Sequence, residues 1–209
     1  MAGRTISIRK AQANFYGGKA VGTFDAKLLA DPSYEFHGRF DRVDLARLGY
    51  ALPSLRDGVE GTASAALTLS SHGVGHENLV RILQGGGRVD ARNVELPGLD
   101  FASLISGDNQ GPPSGRFVSA KGNFRIGGGG IEVTYFDLEN AQGRFQAEGR
   151  IDFSHAINLR IHPSILHAAT TLPSAPPSSF VLGGTIESPR VVSPTPPPKT
   201  PAKSSHRAR

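Results

Sequence analysis

From Val59 to Ser70 the chain alternates without a break. Val59, Gly61, Ala63, Ala65, Leu67 and Leu69 occupy one parity, and Glu60, Thr62, Ser64, Ala66, Thr68 and Ser70 occupy the other. A period of two fits a strand with one dry and one wet face, and a helix would scatter these residues around its circumference. The pattern recurs: Ala20, Gly22, Phe24, Ala26 and Leu28 oppose Val21, Thr23, Asp25 and Lys27, and Tyr34, Phe36, Gly38 and Phe40 oppose Glu35, His37, Arg39 and Asp41. Further on, Phe145, Ala147, Gly149, Ile151 and Phe153 oppose Arg144, Gln146, Glu148, Arg150 and Asp152. Many such strands in 209 residues, with 26 Gly, 15 Pro and no Trp, predict a mainly β protein.

The connections are legible in the same way. Tyr16-Gly17-Gly18-Lys19 and Gly127 to Gly130 read as hairpin turns. Before the first turn, Ile6 and Ile8 lie on one parity and Ala11, Ala13 and Phe15 on the other, so a continuous strand needs a bulge at Arg9-Lys10. The period changes to that of a helix at Leu45, Leu48 and Leu52, with Asp44 as N-cap and Pro53 as stop, and again at Leu79, Ile82 and Leu83. Gly85-Gly86-Gly87 reads as the turn that ends this second helix, ahead of a strand through Val89 and Ala91, and a third short helix is predicted at residues 100–105. Strands at 117–126, 131–138, 143–153, 157–161 and 180–186 complete a bent, groove-like antiparallel sheet with a few short amphipathic helices. Residues 1–188 form one domain in this reading. Residues 189–209 form a Pro-rich basic tail, predicted to be disordered or polyproline-like.

Charge separates along the same boundary. The tail holds Arg190, Lys199, Lys203, Arg207 and Arg209 and no acid, which accounts for the whole net charge of +5 and leaves the body neutral. Its bases have no interleaved aromatics, so nucleic-acid recognition is not expected. Cysteine is absent, which excludes disulfides, thiolate metal sites and a cysteine nucleophile but assigns no compartment. Residues 1–10 carry no apolar run of signal-peptide length, and no stretch approaches the roughly 18–20 apolar residues of a membrane span, so the chain as it stands is expected neither to export nor to insert itself.

Constellations that carry chemistry are sparse. His72 and His76 share a glycine-containing loop without a third ligand, and His155, His162 and His167 are scattered. A phosphate loop follows a strand and opens a helix, which neither glycine run does in this reading. The acids Asp25, Asp41, Glu148 and Asp152 sit on wet parities, although a glycosidase pair requires only that two acids meet in space. No catalytic, metal or cofactor residues are assigned, and a non-enzymatic role is expected. The dry faces are more informative. Small residues such as Gly61, Ala63, Ala65, Ala147 and Gly149 on these faces fit close packing against the short helices, or a groove wall open to an apolar guest.

Certain segments, taken in order, carry a resemblance. Phe15-Tyr16-Gly17-Gly18-Lys19-Ala20-Val21-Gly22 is followed by Phe36-His37-Gly38-Arg39-Phe40-Asp41-Arg42-Val43-Asp44-Leu45, then Gly58-Val59-Glu60-Gly61-Thr62. Leu79 to Gly87, Gly149-Arg150-Ile151-Asp152-Phe153 and Gly183 to Pro189 complete the series. Together they resemble the C-terminal region of the AsmA family over residues 5–190, through Gly, Phe and Leu positions and no catalytic motif. That resemblance implies a bacterial envelope protein concerned with outer-membrane biogenesis, whose β-groove with an apolar interior binds or transfers phospholipid. It implies a periplasmic location and an inner-membrane anchor in an N-terminal segment that this chain does not contain. The residues expected to face lipid are Ala63, Ala65, Leu67, Leu69, Phe145, Ala147 and Ile151. A module that caps a longer periplasmic β-structure, and meets envelope proteins through the Pro-rich tail without itself binding lipid, is the alternative.

Overall fold

The computed structural model describes residues 4–51, 59–97, 114–141, 143–166, 179–186 and 188–192. They form a single antiparallel sheet of eleven strands whose spatial order is the order of the chain. The strands are β1 (Arg4–Phe15), β2 (Gly18–Leu28), β3 (Ser33–Asp44), β4 (Glu60–His72), β5 (Gln84–Pro97) and β6 (Ser114–Gly127). They continue with β7 (Gly130–Asn140), β8 (Gly143–Asp152), β9 (Ile157–Leu166), β10 (Phe180–Gly184) and β11 (Pro189–Val192). The sheet is open, with β1 and β11 as its edges. Helix α1 (Leu45–Ala51) follows β3, and α2 (His76–Arg81) joins β4 to β5.

The turns explain why consecutive strands pair. Tyr16 and Gly17, at φ 44° and 81°, and Gly128 and Gly129, at φ 57° and 75°, form two-residue turns with both residues left-handed, the form that matches the twist of a hairpin. α1 starts where Asp44 accepts the amide N–H of Arg47 at 3.1 Å, the N-cap bond that the sequence predicts.

Bulges keep the dry parity on one side along each strand. Arg9 and Lys10 together face Thr23, between the pairs Ile8–Phe24 and Ala11–Gly22, as the parity switch in β1 requires. Asp41 and Arg42 repeat this in β3 opposite Ser64, whose hydroxyl accepts the Arg42 N–H at 3.1 Å and donates to Asp41. Lys10 and Arg42 take positive φ at these irregularities, as does Asn93 at a third, in β5 opposite Gly61, and each extra residue adds local twist and bend.

Two expectations need correction. Gly85, Gly86 and Gly87 do not end a helix; they lie within β5, paired to Leu69, Thr68 and Leu67 on one side and to Ile126, Arg125 and Phe124 on the other. Glycine is needed there for close approach: a Cβ on Gly86 would stand 2.9 Å from the carbonyl oxygen of Phe124, and one on Gly87 3.0 Å from both the Leu67 Cβ and the Phe124 ring. The sheet also runs past residue 188, because Arg190, Val191 and Val192 pair with Gly183, Leu182 and Val181 as β11. The predicted helix at 100–105, the Pro/Ser-rich segment before Ser179 and the chain beyond Val192 lie outside the described residues.

Candidate functional site

In an antiparallel sheet, residues directly opposite one another project from the same face. The registers therefore assemble a continuous apolar face from one edge to the other. One row runs Ile8, Phe24, Phe36, Leu69, Gly85, Ile126, Ile131, Ile151, Ile157. The next runs Ala11, Gly22, Gly38, Leu67, Gly87, Phe124, Val133, Gly149, Leu159, Leu182, Val191.

Glycine is frequent in that second row because aromatic rings lie over it. A Cβ on Gly38 would stand 2.6 Å from the Phe36 ring and 3.0 Å from that of Phe40. Rings resting on backbone turn side-chain gaps into a smooth apolar surface, as in the aromatic rescue of strand glycines. Phe15 and Phe40 extend this surface, with ring centroids 5.1 Å apart, and Phe24 stacks on Tyr34 at 6.5 Å.

Burial divides the face into two regions. Toward β11 it is the core: Ala91, Val94, Phe117, Ala120, Leu138, Phe145, Ala147, Ile157, Ile161, Phe180 and Leu182 form one buried cluster. Toward β1 it is open to solvent. Ile6 and Ile8 are 49% and 47% exposed, and Phe24, Phe36, Leu67, Leu69 and Phe124 are only partly buried. Among the described residues, α1 touches β3 and β4 and α2 touches β4.

The seven residues expected to face lipid all lie on this one face. The structure separates them by environment. Phe145 is 0% exposed and Ala147 is buried beside it, both inside the core. Ala63 and Ile151 pack against that core from its margin. Ala65, Leu67 and Leu69 lie on β4 in the less covered region. Periodicity in single strands missed Ile8, Phe24, Phe36 and Phe124 as members of the open surface; cross-strand register puts them there.

The opposite face is polar. Ion pairs such as Arg9–Asp25 at 3.1 Å, Arg116–Glu95 at 3.0 Å and Arg150–Asp152 at 2.6 Å lie across it. The Tyr135 hydroxyl donates to Asp137 at 2.6 Å, and this bond, with the nearby negative charge, raises the phenol above its ordinary value of 10.0. Clefts of about 600, 570 and 330 Å³ open on this side. His72 ends β4 and His76 begins α2. Among the described residues no group of three or more His, Asp or Glu side chains is placed to hold a metal, and no helix is long and apolar enough to cross a membrane.

No protein-family model, curated protein or solved structure matches this chain.

Proposed function

We propose that the protein is a non-enzymatic lipid-handling module of the bacterial envelope, in which the open half of the apolar face receives the acyl chains of phospholipid. The observation that carries this reading is the incompletely covered run of Ile6, Ile8, Phe24, Phe36, Leu67 and Leu69 across β1 to β4, exposed at Ile6 and Ile8 and continuous with the buried core. Large contiguous apolar surfaces on folded proteins mark contact with another apolar body. The AsmA resemblance supplies the nature of that body, the periplasmic setting and the inner-membrane anchor.

The geometry favours weak, sliding contact over a tight pocket. A methylene withdrawn fully from water contributes about 0.8 kcal/mol, so one covered on a single side contributes about half as much. About ten such methylenes give ~4 kcal/mol, which corresponds to a millimolar dissociation constant before other costs. A surface of this strength suits passage of lipid along the sheet and release at its end.

The test is positional. Protein purified from bacteria should carry phospholipid in native mass spectrometry, and photo-crosslinkers at Leu67 or Leu69 should label lipid where those at Thr68 or Arg150 do not. Equal labelling on both parities refutes the reading. A second reading rests on the β1 edge, whose twelve residues pair with β2 alone among the described strands. An edge of that length is a template for strand addition, as in a module that continues a longer β-structure and meets envelope proteins through its Pro-rich tail. Protein free of lipid, with partner recovery lost on removal of residues 190–209, would favour that second reading.

A further inference from the structure

A cleft of about 600 Å³ lies on the polar face over β2 to β5, and its charged lining is of one sign. Lys10, Arg39 and Arg88 line it with Thr23, Thr68 and Asn123, and no carboxylate does. Its floor is low because Ala66 and Gly86 project almost nothing between the longer side chains. Register fixes the arrangement: Val21, Arg39, Ala66, Arg88 and Asn123 form one row, and Thr23, His37, Thr68, Gly86 and Arg125 form the next. Arg39 and Arg88 are two strands apart, about 10 Å between their backbones, and flank Ala66. Lys10 reaches the cleft from the β1 bulge, the residue whose left-handed backbone takes it out of the regular alternation.

These cations are available. Neighbouring acids have other partners: Asp41 pairs with Arg42 and Ser64, Asp25 with Arg9 and Ser7, Glu35 with His37, and Asp90 with Lys121 and, at 3.9 Å, Arg92, its Oδ1 forming no hydrogen bond. Among the described residues Lys10, Arg39, Arg88 and Arg125 form no ion pair. Three cations without an ion pair border one hollow beside hydroxyl and amide groups.

We propose that this cleft binds a phosphate-bearing anion. A guanidinium presents paired N–H donors that fit phosphate oxygens, an ammonium adds a point charge, and Thr23 and Asn123 supply neutral hydrogen bonds to the remaining oxygens, while the Thr68 hydroxyl is bonded to His37 at the cleft's side. Lys10, Arg39 and Arg88 belong to the polar face, so the proposal does not rest on lipid handling, although Leu67 of the apolar row also lines the cleft. A phosphate could arrive on a soluble molecule or as the headgroup of a lipid in a membrane, and the two sources share this chemistry.

Two probes separate them: pyrophosphate titrated into the full chain by calorimetry, and flotation with vesicles of phosphatidylglycerol or of phosphatidylcholine. The Arg39→Gln/Arg88→Gln protein is compared with Arg92→Gln/Arg116→Gln, which removes the same charge outside the cleft. These are surface changes and should leave folding intact, as thermal unfolding of both variants verifies. The expected result is saturable binding of at least one probe that falls by about tenfold or more in the cleft variant, the worth of one lost charge-assisted hydrogen bond, and stays within about twofold in the control. Loss for pyrophosphate alone identifies a soluble ligand; loss for phosphatidylglycerol vesicles alone identifies a headgroup. Absence of saturable binding by the native chain, or equal loss in both variants, overturns the proposal.

Discussion

Truncation of isoleucine at two places on one face measures whether that face is covered in solution. Ile161 on β9 is 1% exposed, and Ile8 on β1 is 47% exposed. Both project from the apolar side, so chemistry is constant and only cover differs. Ile161→Ala removes three carbons from a closed core and leaves a cavity, which costs about 2–5 kcal/mol. Ile8→Ala removes the same carbons from a site already half in water, where no cavity forms. About half of ~0.8 kcal/mol for each carbon leaves a cost of about 1 kcal/mol. Leu67→Ala checks that the small cost does not come from β1 being an edge, since β4 is interior; partly exposed Leu67 should cost less than Ile161. The measurement is urea unfolding of protein stripped of lipid, because a ligand bound to the folded state adds stability by mass action. Equal costs for Ile8→Ala and Ile161→Ala at unchanged m-value would show that the β1 side of the face is as enclosed as the core, and would refute the open-surface reading.

Three further outcomes are expected. Gly149→Ala should cost about 1–3 kcal/mol or more, since Gly149 holds φ 138° and the Asn158 carbonyl oxygen stands where a Cβ would go, whereas Gly127→Ala, with nothing near its Cβ position, should shift stability by less than ~0.5 kcal/mol in thermal unfolding. Asp44→Ala removes the α1 cap and should cost about 1 kcal/mol, read as a fall in Tm of about 2–4 °C. Tyr135 should ionise at higher pH than an ordinary phenol. Its protonated hydroxyl is the donor to Asp137, so the contact is whole below about pH 10 and fades as pH rises through the raised value. The tyrosinate difference spectrum against Tyr135→Phe follows this titration, and Asp137→Asn should return it toward the ordinary range.

The strands and their turns were legible because each is governed by local rules: period-two alternation, glycine-containing turns at positive φ, and a parity switch at Arg9-Lys10 that only a bulge resolves. Gly85 to Gly87 was misread because a glycine run carries no periodicity, and what places it in β5 is contact with Phe124 and Leu67 on neighbouring strands. β11 was missed for a related reason. Four residues led by a proline have little strand signal until Val181 and Leu182 are there to pair with them. Single-strand patterning could name Leu67 and Phe145 as members of the same dry face. It could not separate the half-buried one from the fully buried one, since cover is a property of the assembled sheet.

Because every strand pairs only with its neighbours in the chain, no pairing has to wait for a strand from a distant part of the sequence. Any one hairpin, such as β6–β7 with its two-glycine turn, can form first and grow outward by adding strands to either side. Low contact order of this kind favours fast assembly. It also makes the sheet yield from its margins: tension on the two termini peels β1 and β11 one hydrogen bond at a time, and the strands around Phe145 and Ile161 give way last.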